Sequence, residues 1–114
     1  MISEGDIILF RFPRTDLASG KLRPALLLKK IPHKYSDWLV CMISTQVHQR
    51  IERIEWIYAT KDEGFENTGL KRDSLIRASR LAVVDESIFE GKLGSLPEAK
   101  FKDTKQQLSS WISE

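Results

Sequence analysis

The chain has 114 residues and a formal net charge of +2, and 41% of its residues are hydrophobic while 30% are charged. These values indicate one globular domain, residues 1–114, with a modest core, and they exclude a disordered chain. No apolar segment reaches the roughly 20 residues that cross a bilayer, and the opening "MISEGDIILFRF" lacks a basic leader, so we expect a cytoplasmic protein.

Four apolar segments in the first half of the chain predict β-strands. Three of them contain β-branched and aromatic residues, the second is a run of Ala and Leu that opens with Pro24, and turn-forming residues separate them. Their sequences are "DIILFRF" (residues 6–12), "PALLLKK" (24–30), "WLVCMIS" (38–44) and "RIEWIYA" (53–59). The fourth alternates Ile54, Trp56 and Tyr58 against Glu55 and Ile57, which predicts a half-exposed strand with Glu55 on its outer side.

Segments rich in turn-forming residues connect and follow these strands. "PRTDLASGKLR" (residues 13–23) contains Pro, Asp, Ser and Gly, and it predicts a long loop. After the glycine-rich connector "KDEGFENTGLK" (61–71), the segments "DSLIRAS" (73–79) and "LAVV" (81–84) predict one or two more strands. A short helical turn is predicted at "DESIFEG" (85–91).

The last third of the chain has the pattern of a helix. "SLPE" (residues 95–98) has the Ser-x-x-Glu spacing of a capping box, with Pro97 in the first turn. Apolar residues then recur on one side of a helix, with a polar break at Lys105: Phe101, Leu108, Trp111 and Ile112. The whole pattern predicts a mainly β (α+β) fold, a small, strongly curved antiparallel sheet of about five to seven strands closed by a C-terminal helix.

Several kinds of chemistry are eliminated by the residues that the chain lacks. Metal sites need clustered ligands, but His33 and His48 stand alone and no paired-cysteine spacing occurs. The glycine loops "GxxxxGK" and "GxGxxG" are absent, and no nucleophile elbow accompanies Ser44 and His48. The sequence therefore predicts neither a metal nor a cofactor.

Cations and hydroxyls at the ends of predicted strands remain as candidates. Arg23 enters the second strand, Ser44 and Thr45 end the third, and Arg77 lies in a later basic segment. Such a set suits cleavage of RNA, because the 2′-hydroxyl supplies the nucleophile and the protein positions the chain and stabilises the phosphorane. Arginine suits this task, since it stays protonated and its donors match two phosphate oxygens. From charge alone, ordinary solvated strand edges explain these cations as well as a basic face does.

Arg23 and Ser44 each have a plainer interpretation. By position alone, we would expect Arg23 to form an ion pair with an acid such as Asp6 or Asp16 at a strand end. Ser44 equally suits a hydroxyl that is bonded to the backbone where its strand ends. The residues by themselves leave both pairs of alternatives open.

Other candidates are interpreted mainly as structural residues. His48 in "TQVHQR" predicts a surface loop, and as a site residue it would contact substrate or transfer a proton. Trp38 and Trp56 are expected in the core, with stacking on RNA bases as the alternative. The single cysteine, Cys41, has apolar neighbours and is expected to be buried rather than nucleophilic.

Three segments carry a resemblance to a known family. "GDIILFRFPRTDLASGKLRPALLLKK" (residues 5–30) resembles the opening of the MazF/PemK toxins, which begin with a Gly-Asp strand, a loop, and Arg-Pro before an apolar strand. "CMISTQ" (41–46) resembles the hydroxyl-bearing end of the family's third strand. "NTGLKRDSLIRASRLAVVD" (67–85) resembles its Gly, Ser and terminal Asp spacing, and the resemblance extends through the final helix.

The resemblance implies an SH3-like barrel, a homodimer and the toxin of a type II toxin-antitoxin pair. It implies sequence-selective cleavage of single-stranded mRNA without metal, which leaves a 2′,3′-cyclic phosphate and a 5′-hydroxyl. It also implies an acidic antitoxin whose C-terminal segment wraps the active-site face, and DNA binding together with that antitoxin. The alternative is a non-catalytic binding protein on the same barrel, either a gyrase-poisoning toxin or an RNA-binding module.

The resemblance also assigns roles to residues at two strand ends. Arg23 matches the family's catalytic arginine, and Ser44 stands where members usually carry a catalytic threonine. Thr45 and Gln46 extend the same strand end and are expected to line the path of the RNA. The replacement at Ser44 keeps the required chemistry, because serine retains the hydroxyl of threonine.

Further substrate contacts are implied in the later basic strand and in the first loop. Arg77 lies near a residue that contacts RNA in some members, while Ser79 and Arg80 replace an acid and an amide of those members. This departure leaves both the base preference and one proton-transfer role open. The loop over residues 13–22 resembles the loop that covers the active site. Its residues expected near the phosphates are Arg14, Thr15 and Lys21.

Overall fold

A computed structural model describes residues 2–11, 21–33 and 35–114. Six strands form one antiparallel sheet with the spatial order β4-β5-β3-β2-β1-β6. The strands are β1 (Asp6–Arg11), β2 (Leu22–Lys30), β3 (Asp37–Ser44), β4 (Glu55–Tyr58), β5 (Ser74–Asp85) and β6 (Gly91–Ser95), and the helix α1 (Glu98–Ile112) follows. The predicted mainly β fold with a C-terminal helix is confirmed. The sheet is not closed into a barrel, because the edge strands β4 and β6 are not hydrogen-bonded to each other.

Apolar residues cover both faces of the sheet. On one face, α1 packs through Phe101 into a buried cluster that includes Leu26 and Cys41. On the other face, Ala25 and Met42 lie opposite each other in β2 and β3 and belong to a second buried cluster. A strand covered on both faces needs a continuous apolar run, which explains "ALLL" in β2.

The residues predicted to be structural do lie in these clusters. Trp38 and Trp56 are buried, so their assignment to the core is confirmed. Cys41 is fully buried as well, and burial raises the pKa of its thiol to about 12. Since the thiolate is the reactive form, Cys41 lacks the properties of a nucleophile at neutral pH.

The later part of the chain forms one strand that lies within the prediction and one that was not predicted. β5 is one continuous strand across "DSLIRAS" and "LAVV", because its register on β3 shifts: Met42 pairs with Arg77, but Cys41 pairs with Leu81. The shift absorbs residues 78–80 as a bulge without ending the strand. β6 was not predicted, since its two glycines and lysine carry little strand propensity, and its pairing with β1 stabilises it.

The start of α1 is also different. The predicted capping box at residues 95–98 is wrong, because Ser95 is the last residue of β6 and Pro97 precedes the helix without a side-chain cap. Of the predicted apolar stripe, Leu108 is buried like Phe101, whereas the end of the stripe is exposed at Trp111 and Ile112. The predicted helical turn is confirmed as Glu86–Ile88. Among the described residues, no helix has the length and apolarity that a membrane span requires.

Gly69 lets the connector between β4 and β5 lie directly against β6. Its φ is +73°, and a Cβ there would lie 2.3 Å from the backbone oxygen of Leu93. We expect Gly69→Ala to lower the free energy of unfolding by about 2 kcal/mol. The alanine would have a strained backbone at this positive φ, and its Cβ would clash with the backbone of Leu93. Urea unfolding measures this loss. Gly91→Ala is the control, because a Cβ at Gly91 would have no atom within 4 Å, and equal losses in both variants would contradict the argument.

Candidate active site

Arg23 and Ser44 lie at the end of the sheet where β2 begins and β3 ends. Ala25 pairs with Met42, and two further residues along each antiparallel strand bring Arg23 opposite Ser44. Because side chains alternate along a strand, both point to the face that carries Ala25 and Met42. Arg23 and Ser44 line the same two adjoining clefts, of about 270 Å³ and about 360 Å³. The fold therefore brings Arg23 and Ser44 side by side.

The Arg23 side chain is available to a ligand in these clefts. It is exposed and forms no salt bridge with any other described residue. Asp6, one of its two suggested partners, is paired with Lys92 instead, at 3.2 Å between Oδ2 and Nζ. The other, Asp16, lies outside the described residues. Within the described chain, the structural interpretation of Arg23 as an ion-pair anchor finds no partner.

The hydroxyl of Ser44 combines a backbone contact with access to the clefts. Its Oγ accepts a hydrogen bond from the backbone N–H of Gln46 at 3.0 Å, as the plainer interpretation expected. That bond occupies only a lone pair, so the hydroxyl proton stays free to donate to an oxygen of a ligand. The contact fixes the position of Oγ without removing it from the site.

The described walls of the two clefts carry cations and neutral polar groups, and no carboxylate. The first, beside Arg23 and Ser44, has polar and charged lining residues Thr45, Gln46, Lys71, Arg72 and Ser74. The second has Gln46, Gln49, Arg77 and Arg80. A concave surface with charge of one sign focuses the potential and attracts polyanions. Among the described residues, no group of three or more His, Cys, Asp or Glu could hold a metal ion.

Not every predicted site residue reaches these clefts. Lys21 and His48 are exposed but line neither cleft, and Ser79 instead bonds to a buried carboxylate described below. Arg14 and Thr15 lie outside the described residues. Conversely, four polar or charged lining residues were not proposed as site residues: Gln49, Lys71, Arg72 and Ser74. The basic pair in "LKRDS" was a visible signal for two of them, whereas Gln49 carried none.

Glu55 contradicts its predicted place on the outer side of the fourth strand, because it is fully buried. Its Oε2 accepts from Arg77 Nε at 2.8 Å and from the Ser79 hydroxyl. Its Oε1 accepts from the backbone N–H of Ile51 at 2.8 Å. Burial alone would raise the pKa of Glu55, but the bonds from Ser79, Arg77 and Ile51 outweigh it and lower the pKa below its ordinary value.

The lowered pKa of Glu55 makes the stability of the protein depend on acid pH. A carboxyl with a folded-state pKa below its unfolded value stabilises the fold above the unfolded pKa, here 4.5, and loses that contribution as pH falls through the folded pKa. We expect Glu55→Gln to unfold at lower urea than the wild type at pH 7, with a gap that narrows below about pH 4.5. Urea titrations at pH 7, 4 and 3 measure the gap, and one that widens in acid would contradict the assignment.

Comparison with known proteins shows the family of this chain. Residues 3–112 match the family model described as PemK-like, MazF-like toxin of type II toxin-antitoxin system. A solved structure, the Mycobacterium tuberculosis toxin MazF-mt6, matches with a TM-score of 0.69 and 18% identity, over 95% of this chain and 96% of that one. No curated protein sequence gives a significant match. Because the family model spans nearly the whole chain, the protein belongs to the PemK-like, MazF-like toxins of type II toxin-antitoxin systems.

Proposed function

We propose that the protein is a growth-inhibiting toxin that cleaves single-stranded mRNA in the cytoplasm, without metal, by attack of the ribose 2′-hydroxyl. The observation that carries this proposal is the convergence of Arg23 and Ser44 on two clefts whose described walls hold no carboxylate. A phosphodiester enters such a surface without meeting like charge. A 2′-hydroxyl next to the scissile phosphate then needs only positioning and charge stabilisation.

The reaction forms one bond and breaks another at phosphorus. The 2′-oxygen attacks and gives up its proton, the bond to the 5′-oxygen breaks, and that oxygen takes up a proton, which gives a 2′,3′-cyclic phosphate and a 5′-hydroxyl. In this assignment Arg23 binds the non-bridging oxygens of the phosphorane, and the Ser44 hydroxyl donates to one of them. Thr45 and Gln46 contact the RNA on one side of the scissile phosphate, and Arg77 and Arg80 contact it on the other.

The same surface suits the antitoxin that membership of the family implies. An acidic C-terminal segment of the antitoxin would neutralise Arg23, Lys71, Arg72 and Arg77 and occlude the phosphate path. We further propose a homodimer, since apolar side chains stay exposed on β5 and α1 of one chain: Leu81, Val83, Trp111 and Ile112.

Incubation of the purified protein with a long single-stranded RNA in EDTA tests the proposed reaction. Fragments that end in cyclic phosphate and 5′-hydroxyl are expected, and a DNA of the same sequence should stay intact because it lacks the nucleophile. Ser44→Ala should cut the RNA about 100-fold more slowly, as a lost oxyanion donor does, while Ser44→Thr keeps most of the rate. RNA that is bound but uncut would favour an RNA-binding module, and inhibition of gyrase without RNA binding would favour the gyrase-poison alternative.

A further inference from the structure

The Glu55 carboxylate, on β4, links this strand to β5 and to the segment before β4, beneath the second cleft. It contacts Arg77 and Ser79 on β5 and the backbone of Ile51 in the segment before β4. It has no exposed surface, so it cannot touch a ligand in the cleft. Any effect of this carboxylate on RNA must act through a neighbouring side chain.

Arg77 is the neighbour through which Glu55 reaches the cleft. Register places the two residues opposite each other, and Arg77 lies opposite Met42 on its other side, so it shares the face of Arg23 and Ser44. Its Nε donates to Glu55 and its Nη1 donates to Gln49 Oε1 at 3.3 Å. An arginine has five N–H donors, so these bonds leave three that no other described residue takes up. The side chain is only 11% exposed, yet it lines the cleft.

Both contacts that hold Arg77 depend on Glu55. The first is the salt bridge itself. The second comes from Gln49, in the segment before β4, which Glu55 holds by three hydrogen bonds. Its carboxylate accepts from the N–H of Ile51, its backbone carbonyl accepts from Arg50 Nε at 2.8 Å, and its backbone N–H donates to the Ile51 carbonyl at 3.0 Å. A long side chain that is held before a ligand arrives loses less conformational freedom on binding.

We infer that Glu55 is a positioning residue for RNA: it fixes Arg77 so that the uncommitted edge of its guanidinium faces a phosphate beside the one bound by Arg23. This inference rests on the proposed function, and it deepens that function by giving the cleft a second, preorganised phosphate contact. Glu55 does not act as a general base, because it is enclosed by donors and has no path to the 2′-hydroxyl.

A double-mutant cycle between Glu55 and Arg77 tests the inference. Glu55→Gln, Arg77→Gln and their combination keep a polar side chain at both positions, and near-UV circular dichroism checks each fold. The probes are the dissociation constant for a single-stranded RNA with 2′-O-methyl riboses, which cannot be cut, and the single-turnover rate on the unmodified RNA. Glu52→Gln is the matched control, since Glu52 is exposed in the same segment and lines neither cleft.

Glu55→Gln is expected to weaken binding of the uncleavable RNA about tenfold in the wild-type background and less than about twofold in the Arg77→Gln background. Glu52→Gln should change neither probe. Equal effects in both backgrounds would overturn the inference, because Glu55 would then act independently of Arg77. If Glu55→Gln does not fold, Glu55→Asp applies the same test, since its shorter side chain withdraws the charge from Arg77, and unchanged binding by that variant overturns the inference.

Measurements on the wild-type protein distinguish a failure of the proposed RNA cleavage from a failure of the role assigned to Glu55. A wild-type protein that neither binds nor cuts RNA defeats the proposed function, and the inference with it. A wild type that cuts RNA, together with a folded Glu55→Gln variant of unchanged affinity, defeats the inference alone.

Discussion

Replacement of Arg23 by alanine is expected to slow RNA cleavage about 1,000-fold, the upper range for loss of one donor to a developing oxyanion. The fold should survive, because Arg23 is exposed and forms no salt bridge with a described residue. Arg23→Lys is expected to recover only part of the rate, since an ammonium group cannot bind two phosphate oxygens with parallel donors. Single-turnover cleavage at saturating protein, beside a urea unfolding curve, separates the two effects.

Lys29→Ala is the control for Arg23→Ala. Lys29 is an exposed cation of the same strand, but it lines neither of the two clefts. Both variants remove one positive charge, so a general loss of attraction for RNA would slow both by the same factor. The active-site assignment requires a large loss in Arg23→Ala alone, and more than a tenth of wild-type activity in Arg23→Ala would sink it.

Replacement of Arg77 by methionine is expected to destabilise the fold by about 3 kcal/mol, because it leaves the Glu55 carboxylate buried without its countercharge. Two donors would remain on that carboxylate, from Ser79 and Ile51, but neither carries charge. Urea unfolding at pH 7 measures the loss.

The double variant Glu55→Leu/Arg77→Met shows whether the loss of stability in Arg77→Met comes from the uncompensated charge of Glu55 or from poor packing at position 77. Apolar residues of similar size can replace a buried ion pair at little cost, so the double variant is expected to recover most of the stability lost in Arg77→Met. A double variant that is less stable than Arg77→Met would mean that the charge on Glu55 is not the cause.

The sequence predicted best those strands whose own residues form a continuous apolar run. β1, β2 and β3 are continuous apolar runs, and a run covered on both faces stays apolar whatever its partners are. β6 depends on its partner instead, because "GKLGS" has little strand propensity of its own and is held by its ladder with β1. The prediction of a capping box was wrong for a related reason. Ser95 pairs with Asp6 in the β1–β6 ladder, so it does not cap the helix.

In the candidate site, too, local segments were predicted well and contacts between strands were not. Arg23 and Ser44 were found because they end local segments that resemble a family, and their meeting follows from an ordinary antiparallel register. Glu55 was assigned to the outer side of its strand, since alternation within one strand contains no information about a cation on the next. Only the pairing of β4 with β5 shows that Arg77 compensates the buried carboxylate.

The bulge in β5 places Ser79 and Arg80 outside the hydrogen-bonded ladders. Ser79 and Arg80 fall between the register Met42–Arg77 and the register Cys41–Leu81, and the ladder with β4 ends at Arg77, so neither residue has a ladder partner. Arg80 nevertheless lines the cleft. Substitutions at Arg80 can therefore change the charge of the cleft wall while the sheet keeps its register, whereas Ser79 is tied to the fold by its hydrogen bond to the buried Glu55 carboxylate.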